Sequence, residues 1–245
     1  MSEGVLVAAG ITKDFAGVRA VDDVDFELSA GEVKGFIGPN GAGKSTLINV
    51  ASGLVRPTSG TVFLRGTNVT RTSMARRARL GLRRSFQHPH LITDATVERM
   101  LRLGMSAPGA SGSRSPGRGD ISKVAERFGF GDRLGQVVSD LPYGYQKLVN
   151  LAMLWAAHPD VVLLDEPYAG VGPENRDAVS SAIRAMAEDG AAVALVEHNL
   201  EIVSSLAPTS VVLDLGAVIF TGSTAEALRD PRVLTAYLGD SEASA

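Results

Sequence analysis

Residues 38–46 have the composition and spacing of a loop that binds phosphate groups. In chain order they are Gly38, Pro39, Asn40, Gly41, Ala42, Gly43, Lys44, Ser45 and Thr46. A glycine followed after four residues by Gly-Lys-Ser lets successive backbone N–H groups converge on the oxygens of a nucleotide di- or triphosphate. The lysine can reach the β- and γ-phosphates, and the serine hydroxyl can bind Mg²⁺. We call residues 38–46 the phosphate loop.

The segments on either side favour this interpretation over a glycine-rich structural turn. The apolar run 33–37 before the loop predicts a β-strand, and residues 47–50 after it predict a helix. A helix that begins at the loop directs its positive end at the phosphates. The sequence therefore predicts a nucleotide site with bound Mg²⁺ between a strand and a helix.

Two carboxylates follow the fully apolar segment 161–164. Asp165 and Glu166 come directly after it, and a buried parallel strand places its last residues at the edge of the sheet where a phosphate loop lies. Asp165 is placed to hold Mg²⁺, usually through water, and Glu166 can polarise a water that attacks the γ-phosphate. The alternative is a strand that ends in a solvated acidic turn.

A glutamine and a histidine complete the candidate hydrolytic site. Gln87 follows the apolar and basic stretch 80–85, and its uncharged amide can touch both Mg²⁺ and the attacking water. His198 follows the predicted strand 192–196, so its imidazole can bond the γ-phosphate at the same edge of the sheet. Each could be an ordinary polar residue by itself. In series with the lysine and the two acids, both are predicted to belong to the site.

Strands and helices alternate in the second half of the chain, which predicts an α/β fold with a mostly parallel sheet. The first strands predict a mixed sheet that ends in the phosphate loop. The predicted strands are 5–9, 21–28, 33–37, 60–64, 161–164, 192–196, 211–213 and 216–221. The predicted helices are 74–80, 97–103, 122–128, 146–158, 174–188, 199–206, 224–228 and 233–238.

Two segments stand apart from this pattern. Residues 106–119 are rich in Ser, Gly and Pro, cannot pack a core, and predict a mobile loop inside a helical section. A run of arginines is interpreted as a solvated helix face, with a contact to acidic lipid or to another subunit as the alternative. The run consists of Arg71, Arg76, Arg77, Arg79, Arg83 and Arg84.

Composition excludes several classes of protein. Among 245 residues, 24 are basic and 27 acidic, so the net charge of −3 offers no overall footprint for nucleic acid. The absence of cysteine excludes disulfides, thiolate metal sites and thiol nucleophiles, and suits the cytoplasm. The first residues lack the basic and apolar regions of a secretory signal, and no run approaches the ~18 apolar residues that span a bilayer. We therefore expect any membrane role to come through a partner.

The order of these motifs resembles that of the ATP-binding-cassette ATPases over essentially the whole chain. The phosphate loop, Gln87, the signature segment 141–146 (Leu-Pro-Tyr-Gly-Tyr-Gln), the acidic strand end and His198 follow the family's sequence and spacing. Within the family, the chain is most similar to the ATP-binding subunits of branched-chain amino-acid importers. The segments that carry this likeness are 85–88, 96–98, 165–171, 195–199 and 236–240. ATPases of lipopolysaccharide export share parts of the acidic segment and the tail.

The resemblance implies a single ATPase domain with a phosphate-loop core, an antiparallel β-subdomain and a helical subdomain over about residues 90–157. Two such subunits would close head to tail on two ATP molecules with Mg²⁺, the second subunit being a homologue or another copy. Closure would drive two transmembrane permease subunits, and an external solute-binding protein would act indirectly. The subunit would lie in the cytoplasm, on the inner face of the cell membrane, and no nucleic-acid partner is expected.

The resemblance also implies residue roles. Phe15 occupies the position of an aromatic residue that stacks on adenine, with a core phenylalanine as the alternative. The partner's ATP would be contacted by Tyr143, Gly144, Tyr145 and Gln146. Catalysis would be carried by Glu166, His198 and Gln87, and Mg²⁺ would be held by Ser45, Gln87 and Asp165.

The signature segment departs from the family pattern at position 142. The family usually has a serine there, whose hydroxyl reaches the partner's γ-phosphate. Pro142 has neither a hydroxyl nor a backbone N–H. Proline is acceptable in the first turn of a helix, so we expect the fold to tolerate it. The sequence predicts a competent phosphate-binding half and a weakened signature half.

The leading hypothesis is the ATP-hydrolysing subunit of an importer of branched-chain amino acids or related small polar solutes. One alternative is a soluble regulatory or nucleic-acid-associated ATPase built on the same domain. The single cassette and the absence of a heptad array count against it. The other alternative is the ATPase of a lipopolysaccharide-type exporter.

Overall fold

The computed structural model describes residues 4–86, 91–107 and 120–242. The strands are β1 (Leu6–Phe15), β2 (Val18–Leu28), β3 (Val33–Ile37), β4 (Ser59–Leu64), β5 (Thr67–Asn68), β6 (Leu82–Arg84), β7 (Val161–Asp165), β8 (Ala192–Val196), β9 (Thr209–Asp214) and β10 (Ala217–Ser223). The helices are α1 (Lys44–Ser52), α2 (Met74–Arg79), α3 (Val97–Ser106), α4 (Ile121–Arg127), α5 (Tyr143–Ala156), α6 (Pro173–Glu188), α7 (Leu200–Leu206), α8 (Thr224–Ala227) and α9 (Pro231–Glu242).

The larger sheet has six strands in the order β10-β9-β3-β8-β7-β6. All neighbouring pairs are parallel except the hairpin of β9 and β10. Strands β7 and β8 are buried along their whole length, which explains why both are continuous apolar runs rather than alternating ones. The carboxyl ends of β3, β7 and β8 meet at one edge of this sheet. The predicted α/β fold with a mostly parallel sheet is confirmed.

The smaller sheet is antiparallel, with the strand order β2-β1-β4-β5. It shares a hydrophobic core with α1 and with one face of the larger sheet. Phe26 of β2 meets Phe36 of β3 edge to face, with ring centroids 5.0 Å apart. Leu47 and Ile48 of α1 are completely buried in the same core. The two sheets therefore hold α1, and with it the phosphate loop, from both sides.

A second hydrophobic core packs α3, α5 and α6 against the other face of the larger sheet. Helices α3 and α5 approach closely at Gly104, where an added Cβ would lie 2.7 Å from the carbonyl oxygen of Met153. The helical subdomain over residues 90–157 remains a prediction. Residues 108–119, most of the predicted mobile loop, lie outside the described residues, whereas Ser106 is the last residue of α3.

The interpretation of the arginine run as a solvated helix face is wrong for part of it. Arg77 is completely buried and donates hydrogen bonds to the carbonyls of Val50, Ala51 and Val69 at 2.7–2.8 Å. The last carbonyls of a helix have no partners within that helix, and this guanidinium caps those of α1. Its burial lowers the pKa of Arg77 to about 10, so the side chain stays charged at neutral pH. Arg83 and Arg84 are also partly buried.

Strands β1, β2, β5 and β6 differ most from the sequence predictions: β2 begins at Val18 rather than at residue 21, and the two-residue β5 was not predicted. Strand β1 runs to Phe15, whereas the predicted strand ends at residue 9. Its pairing with β2 shifts register between Ala8 and Ile11. The shift interrupts the alternation that marks a strand in a sequence. The short strand β6 was not predicted, since three residues with two arginines carry little strand signal.

No helix within the described ranges is both long and apolar enough to cross a bilayer.

Candidate functional site

The phosphate loop connects the end of β3 to the start of α1, and its backbone requires glycine. Gly38 and Gly43 have φ angles of 148° and 98°. A Cβ on Gly38 would lie 2.1 Å from the carbonyl oxygen of Leu213, and one on Gly43 would lie 2.4 Å from that of Ala20. No side chain fits at either position. Strands β2 and β9 therefore fix the loop at both ends.

The interior of the loop carries a positive charge. Lys44 is only 7% exposed, and its Nζ donates to the carbonyls of Gly38 at 2.6 Å and Pro39 at 2.7 Å. Helix α1 begins at this residue, so its first N–H groups and the ammonium share one concavity. The loop is thus a binding site for an anion with several oxygens.

Asp165, at the end of β7, faces the start of α1. Its Oδ1 accepts a hydrogen bond from the Ser45 hydroxyl at 3.3 Å. Its Oδ2 forms an ion pair with Arg84 at 3.0 Å, and the two side chains are only 10% and 6% exposed. Arg84 also donates to Asn49 Oδ1 at 2.5 Å and to Ser52 Oγ at 3.1 Å on α1. One guanidinium therefore fixes the carboxylate of β7 against the helix that follows the phosphate loop.

Glu166 lies in the same cleft as the phosphate loop. The cleft has a volume of about 190 Å³, and its lining includes Ala20, residues 40–46 and Glu166. Glu166 has a φ of 48°, an uncommon value for a residue other than glycine, and its N–H donates to the carbonyl of Val196 at 3.0 Å. Local strain of this kind clusters at functional sites, and here it directs a carboxylate toward the loop.

His198 follows β8 and lies beside two carboxylates. Its Nδ1 is 4.0 Å from Glu166 Oε1 and 3.9 Å from Glu197 Oε2, while its side chain remains 61% exposed. Glu197 is 1% exposed, and its Oε1 accepts a hydrogen bond from the N–H of Tyr168 at 3.1 Å. Burial raises the pKa of Glu197. The carboxylate thus ties the loop after β7 to the end of β8.

The signature segment forms the start of α5. Pro142 is the residue just before the helix rather than part of its first turn, and its carbonyl accepts from the N–H groups of Tyr145 and Gln146. Tyr143 packs on Gly170, where an added Cβ would meet its ring at 2.7 Å. Gly144 lies equally close to Asn175 of α6. None of the signature residues is among the described residues that line the cleft.

Tyr145 and Gln146 contact nearby residues of the same subunit. The guanidinium of Arg133 lies 4.5 Å from the ring centroid of Tyr145. The Gln146 amide donates to the carbonyl of Leu141 at 3.0 Å. The structure therefore brings the phosphate loop, Asp165, Glu166 and His198 together and leaves the signature segment elsewhere on the same subunit.

Phe15 is the last residue of β1 and is 44% exposed, which excludes the alternative of a core phenylalanine. It pairs with Val18, two residues before Ala20 of the cleft lining. The ammonium of Lys13 lies 4.7 Å from its ring centroid. Gln87 lies outside the described residues, although Phe86 just before it packs against Arg84, with the guanidinium 4.8 Å from the ring centroid.

Two charged residues at the site were not predicted to belong to it. Arg84 belongs to the run of arginines interpreted as a solvated helix face, and the sequence analysis assigns no role to Glu197. In the sequence, Arg84 is a charge near the end of the apolar and basic stretch 80–85. Glu197 is a charge between a predicted strand and His198. Their burial shows that both belong to the structure of the site.

The fold and the cleft define a phosphate-loop ATPase domain: a strand, a glycine loop and a helix, with two acids at the end of β7, which β8 separates from β3. A family model described as "ABC transporter" matches residues 21–169. A second model, described as "Branched-chain amino acid ATP-binding cassette transporter", matches residues 217–243. The chain belongs to the ABC transporter family and is an ATP-binding subunit of such a transporter.

Curated relatives and solved structures agree with this membership. The chain is 30% identical over 254 aligned positions to the high-affinity branched-chain amino acid transport ATP-binding protein LivG of Salmonella typhimurium, covering 98% of this chain and 100% of LivG. It is 32% identical to the lipopolysaccharide export system ATP-binding protein LptB of Acidithiobacillus ferridurans, covering 98% of each chain. The ADP conformation of MJ1267, an ATP-binding cassette of an ABC transporter, superposes with a TM-score of 0.85 at 28% identity, covering 97% of this chain and 99% of MJ1267.

These findings confirm the predicted family and the predicted ATPase activity. The chain binds nucleotide, and it works with membrane-embedded permease subunits, as ATP-binding subunits of these transporters do.

Proposed function

We propose that this subunit hydrolyses Mg²⁺–ATP to drive the import of branched-chain amino acids or related small polar solutes. The observation that carries the choice of solute is the match of residues 217–243 to the C-terminal model of branched-chain amino-acid transporters. The near-complete alignment with LivG supports the same choice. These residues form β10, α8 and α9, which follow the candidate site residues in the chain.

The residues around Asp165 fit a magnesium ion. The Ser45 hydroxyl and Asp165 Oδ1 lie 3.3 Å apart at the mouth of the phosphate loop, and oxygen donors of this kind are what Mg²⁺ prefers. Ser45, Asp165 through water, and Gln87 are the proposed ligands. When bound, the ion neutralises charge that develops on the phosphate oxygens.

The side chains around the γ-phosphate position have separate tasks. The phosphate loop and Lys44 hold the triphosphate, and Phe15 stacks on the adenine beyond the cleft. Glu166 orients and deprotonates the attacking water, because its carboxylate faces the cleft from a constrained backbone. His198, 4.0 Å from that carboxylate, bonds the γ-phosphate.

The position of the signature segment supports a head-to-tail pair of ATPase subunits. In a head-to-tail pair, Tyr143, Gly144, Tyr145 and Gln146 contact the ATP bound to the other subunit. The second ATPase is a homologue or another copy of this chain. Two permease subunits complete the transporter, which receives solute from an external binding protein. The ATPase lies on the cytoplasmic face of the membrane, and no nucleic acid takes part.

Lipopolysaccharide-type export is the second candidate, since LptB aligns over the same length at a similar identity. The two functions are separated by purifying the complex from native membranes in mild detergent and identifying its membrane subunits. After reconstitution, we expect ATP-dependent uptake of radiolabelled leucine, isoleucine or valine, and no uptake with the Glu166→Gln subunit. Permease subunits of an export system, with ATP-dependent extraction of lipopolysaccharide, would overturn the import proposal.

Replacing Pro142 with serine is expected to strengthen the weakened signature half. Pro142 precedes the first turn of α5 and supplies neither a hydroxyl nor an N–H, whereas a serine there can donate to the partner's γ-phosphate. A hydrogen bond to a charged phosphate changes affinity or rate by about 10- to 100-fold. Steady-state ATPase rates of the assembled transporter measure the effect, with Pro142→Ala as the matched control that restores only the N–H. Equal turnover and equal ATP affinity in the serine variant and the wild type would contradict a weakened half.

A further inference from the structure

A hydrogen bond joins helix α9 to the phosphate loop. The N–H of Gly38 donates a hydrogen bond to the hydroxyl oxygen of Tyr237 at 2.8 Å, although the two residues are 199 positions apart. Gly38 is the first residue of the loop, and Tyr237 lies in the segment matched by the C-terminal family model. The C-terminal helix is therefore in direct contact with the nucleotide site.

The peptide of Gly38 influences the rest of the loop. Its Cα is held on one side by Leu213 of β9, since an added Cβ would lie 2.1 Å from the Leu213 carbonyl oxygen. Its carbonyl oxygen accepts the hydrogen bond from Lys44 Nζ at 2.6 Å. A shift of this residue would therefore move the ammonium that binds phosphate.

Helix α9 is well anchored and makes a rigid support. Asp230 accepts from the N–H of Arg232 at 2.8 Å and starts the helix. Val233 is 1% exposed in the second hydrophobic core, and the ring of Tyr237 packs against the same core. The hydroxyl of Tyr237 is therefore held by a fixed ring rather than by a mobile side chain.

Elsewhere, an open groove of about 790 Å³ separates α9 from the loop. It is lined by residues 39–42 on one side and by Pro231, Arg232, Thr235 and Ala236 on the other. The hydroxyl of Tyr237, in contrast, reaches the loop directly.

We propose that Tyr237 is a positioning residue for nucleotide binding: its hydroxyl holds Gly38 so that the phosphate loop keeps its binding shape. The inference rests on the phosphate loop as the nucleotide site. It goes further by making the C-terminal helix part of what sets nucleotide affinity. A change in the position of α9 would then alter the affinity for ATP without touching the nucleotide.

The test is the affinity of the purified full chain for ATP and for ADP, measured by calorimetry on Tyr237→Phe. The phenylalanine keeps the packed ring and removes only the hydroxyl. We expect the dissociation constants to rise about three- to tenfold, the effect of one hydrogen bond. Leu234→Ala is the matched control, because it shortens a half-exposed side chain on the same helix and should leave both constants unchanged.

A purely structural role would give a different result. In that case the melting temperature of Tyr237→Phe would fall while the nucleotide affinity of the folded protein stayed that of the wild type, and this would overturn the proposal. Amide hydrogen exchange adds a second measurement: we expect faster exchange in the peptide that contains Gly38, and unchanged exchange there would count against the inference. If the wild type itself failed to bind nucleotide, the proposed function would fail instead.

Discussion

The Glu166→Gln variant is expected to bind ATP with nearly wild-type affinity and to hydrolyse it about 10²–10⁴ times more slowly. The amide keeps the size and the polar contacts of the side chain but cannot take a proton from water. Glu166 lines the cleft beside the phosphate loop, whereas the groups that hold the phosphates are the loop backbone and Lys44. Binding and turnover should therefore separate.

The measurement is the steady-state rate of phosphate release by the assembled transporter, paired with ATP binding by calorimetry. Glu188→Gln is the matched control, because this carboxylate lies at the end of α6, is 66% exposed and pairs with Arg127 on the surface. We expect its turnover to equal that of the wild type. Normal hydrolysis by Glu166→Gln would remove Glu166 from the catalytic step.

The backbone at Glu166 makes a further comparison possible. Its φ of 48° lies in the left-handed region that glycine adopts freely. Glu166→Gly should therefore lose catalysis like the glutamine variant while relieving strain of about 1–3 kcal/mol. Unfolding by urea would show whether the strain relieved outweighs the flexibility that glycine adds to the unfolded chain.

The parts of the site that could be predicted from the sequence are those that neighbouring residues in the chain identify. The phosphate loop, Asp165 and Glu166 each follow an apolar strand within a few residues, so their types and order are visible in the chain. Parallel strands then bring their carboxyl ends to one edge, whatever the intervening sequence. This is why Ser45 and Asp165, 120 residues apart, could be predicted to meet.

The parts that were missed depend on distant contacts. The run of arginines predicts a solvated Arg77, and only the end of α1 explains its burial. Glu197 is a buried carboxylate whose hydrogen-bond partner, the N–H of Tyr168, belongs to another loop. Tyr237 reaches Gly38 across almost the whole chain. In each case a distant segment supplies the hydrogen-bond partner, and no pattern near the residue in the sequence indicates that partner.

Removing the guanidinium of Arg84 is expected to destabilise the protein strongly. Arg84→Met keeps an unbranched side chain but leaves Asp165 Oδ2, Asn49 Oδ1 and Ser52 Oγ without this donor. Breaking a buried ion pair by removing one partner costs about 3–5 kcal/mol, because the remaining charge stays in a poorly solvated place. Burial lowers the pKa of Arg84, because the charged guanidinium is partly removed from solvent.

The free energy of unfolding in urea measures this cost, and an exposed pair of the same type provides the control. Arg232 bonds Asp230 at 2.8 Å with a side chain that is 66% exposed, so Arg232→Met should leave the free energy of unfolding nearly unchanged. A double-mutant cycle with Asp165→Asn isolates the pair itself. We expect a coupling energy of about 1–3 kcal/mol, since the two groups are in direct contact.

A further variant, Arg84→Lys, distinguishes an ion pair that only stabilises the fold from one that also orients a site residue. With Arg84 in place, Asp165 Oδ2 is occupied and Oδ1 faces the Ser45 hydroxyl, so the carboxylate is held in the orientation proposed for holding Mg²⁺. Arg84→Lys keeps the charge, but its ammonium lacks the planar set of N–H donors with which the guanidinium contacts both β7 and α1. If it restores stability yet requires more Mg²⁺ for half-maximal ATPase activity, the orientation of Asp165 is what Arg84 provides. Additive single variants, with no change in the Mg²⁺ requirement, would show that the pair contributes nothing to the site.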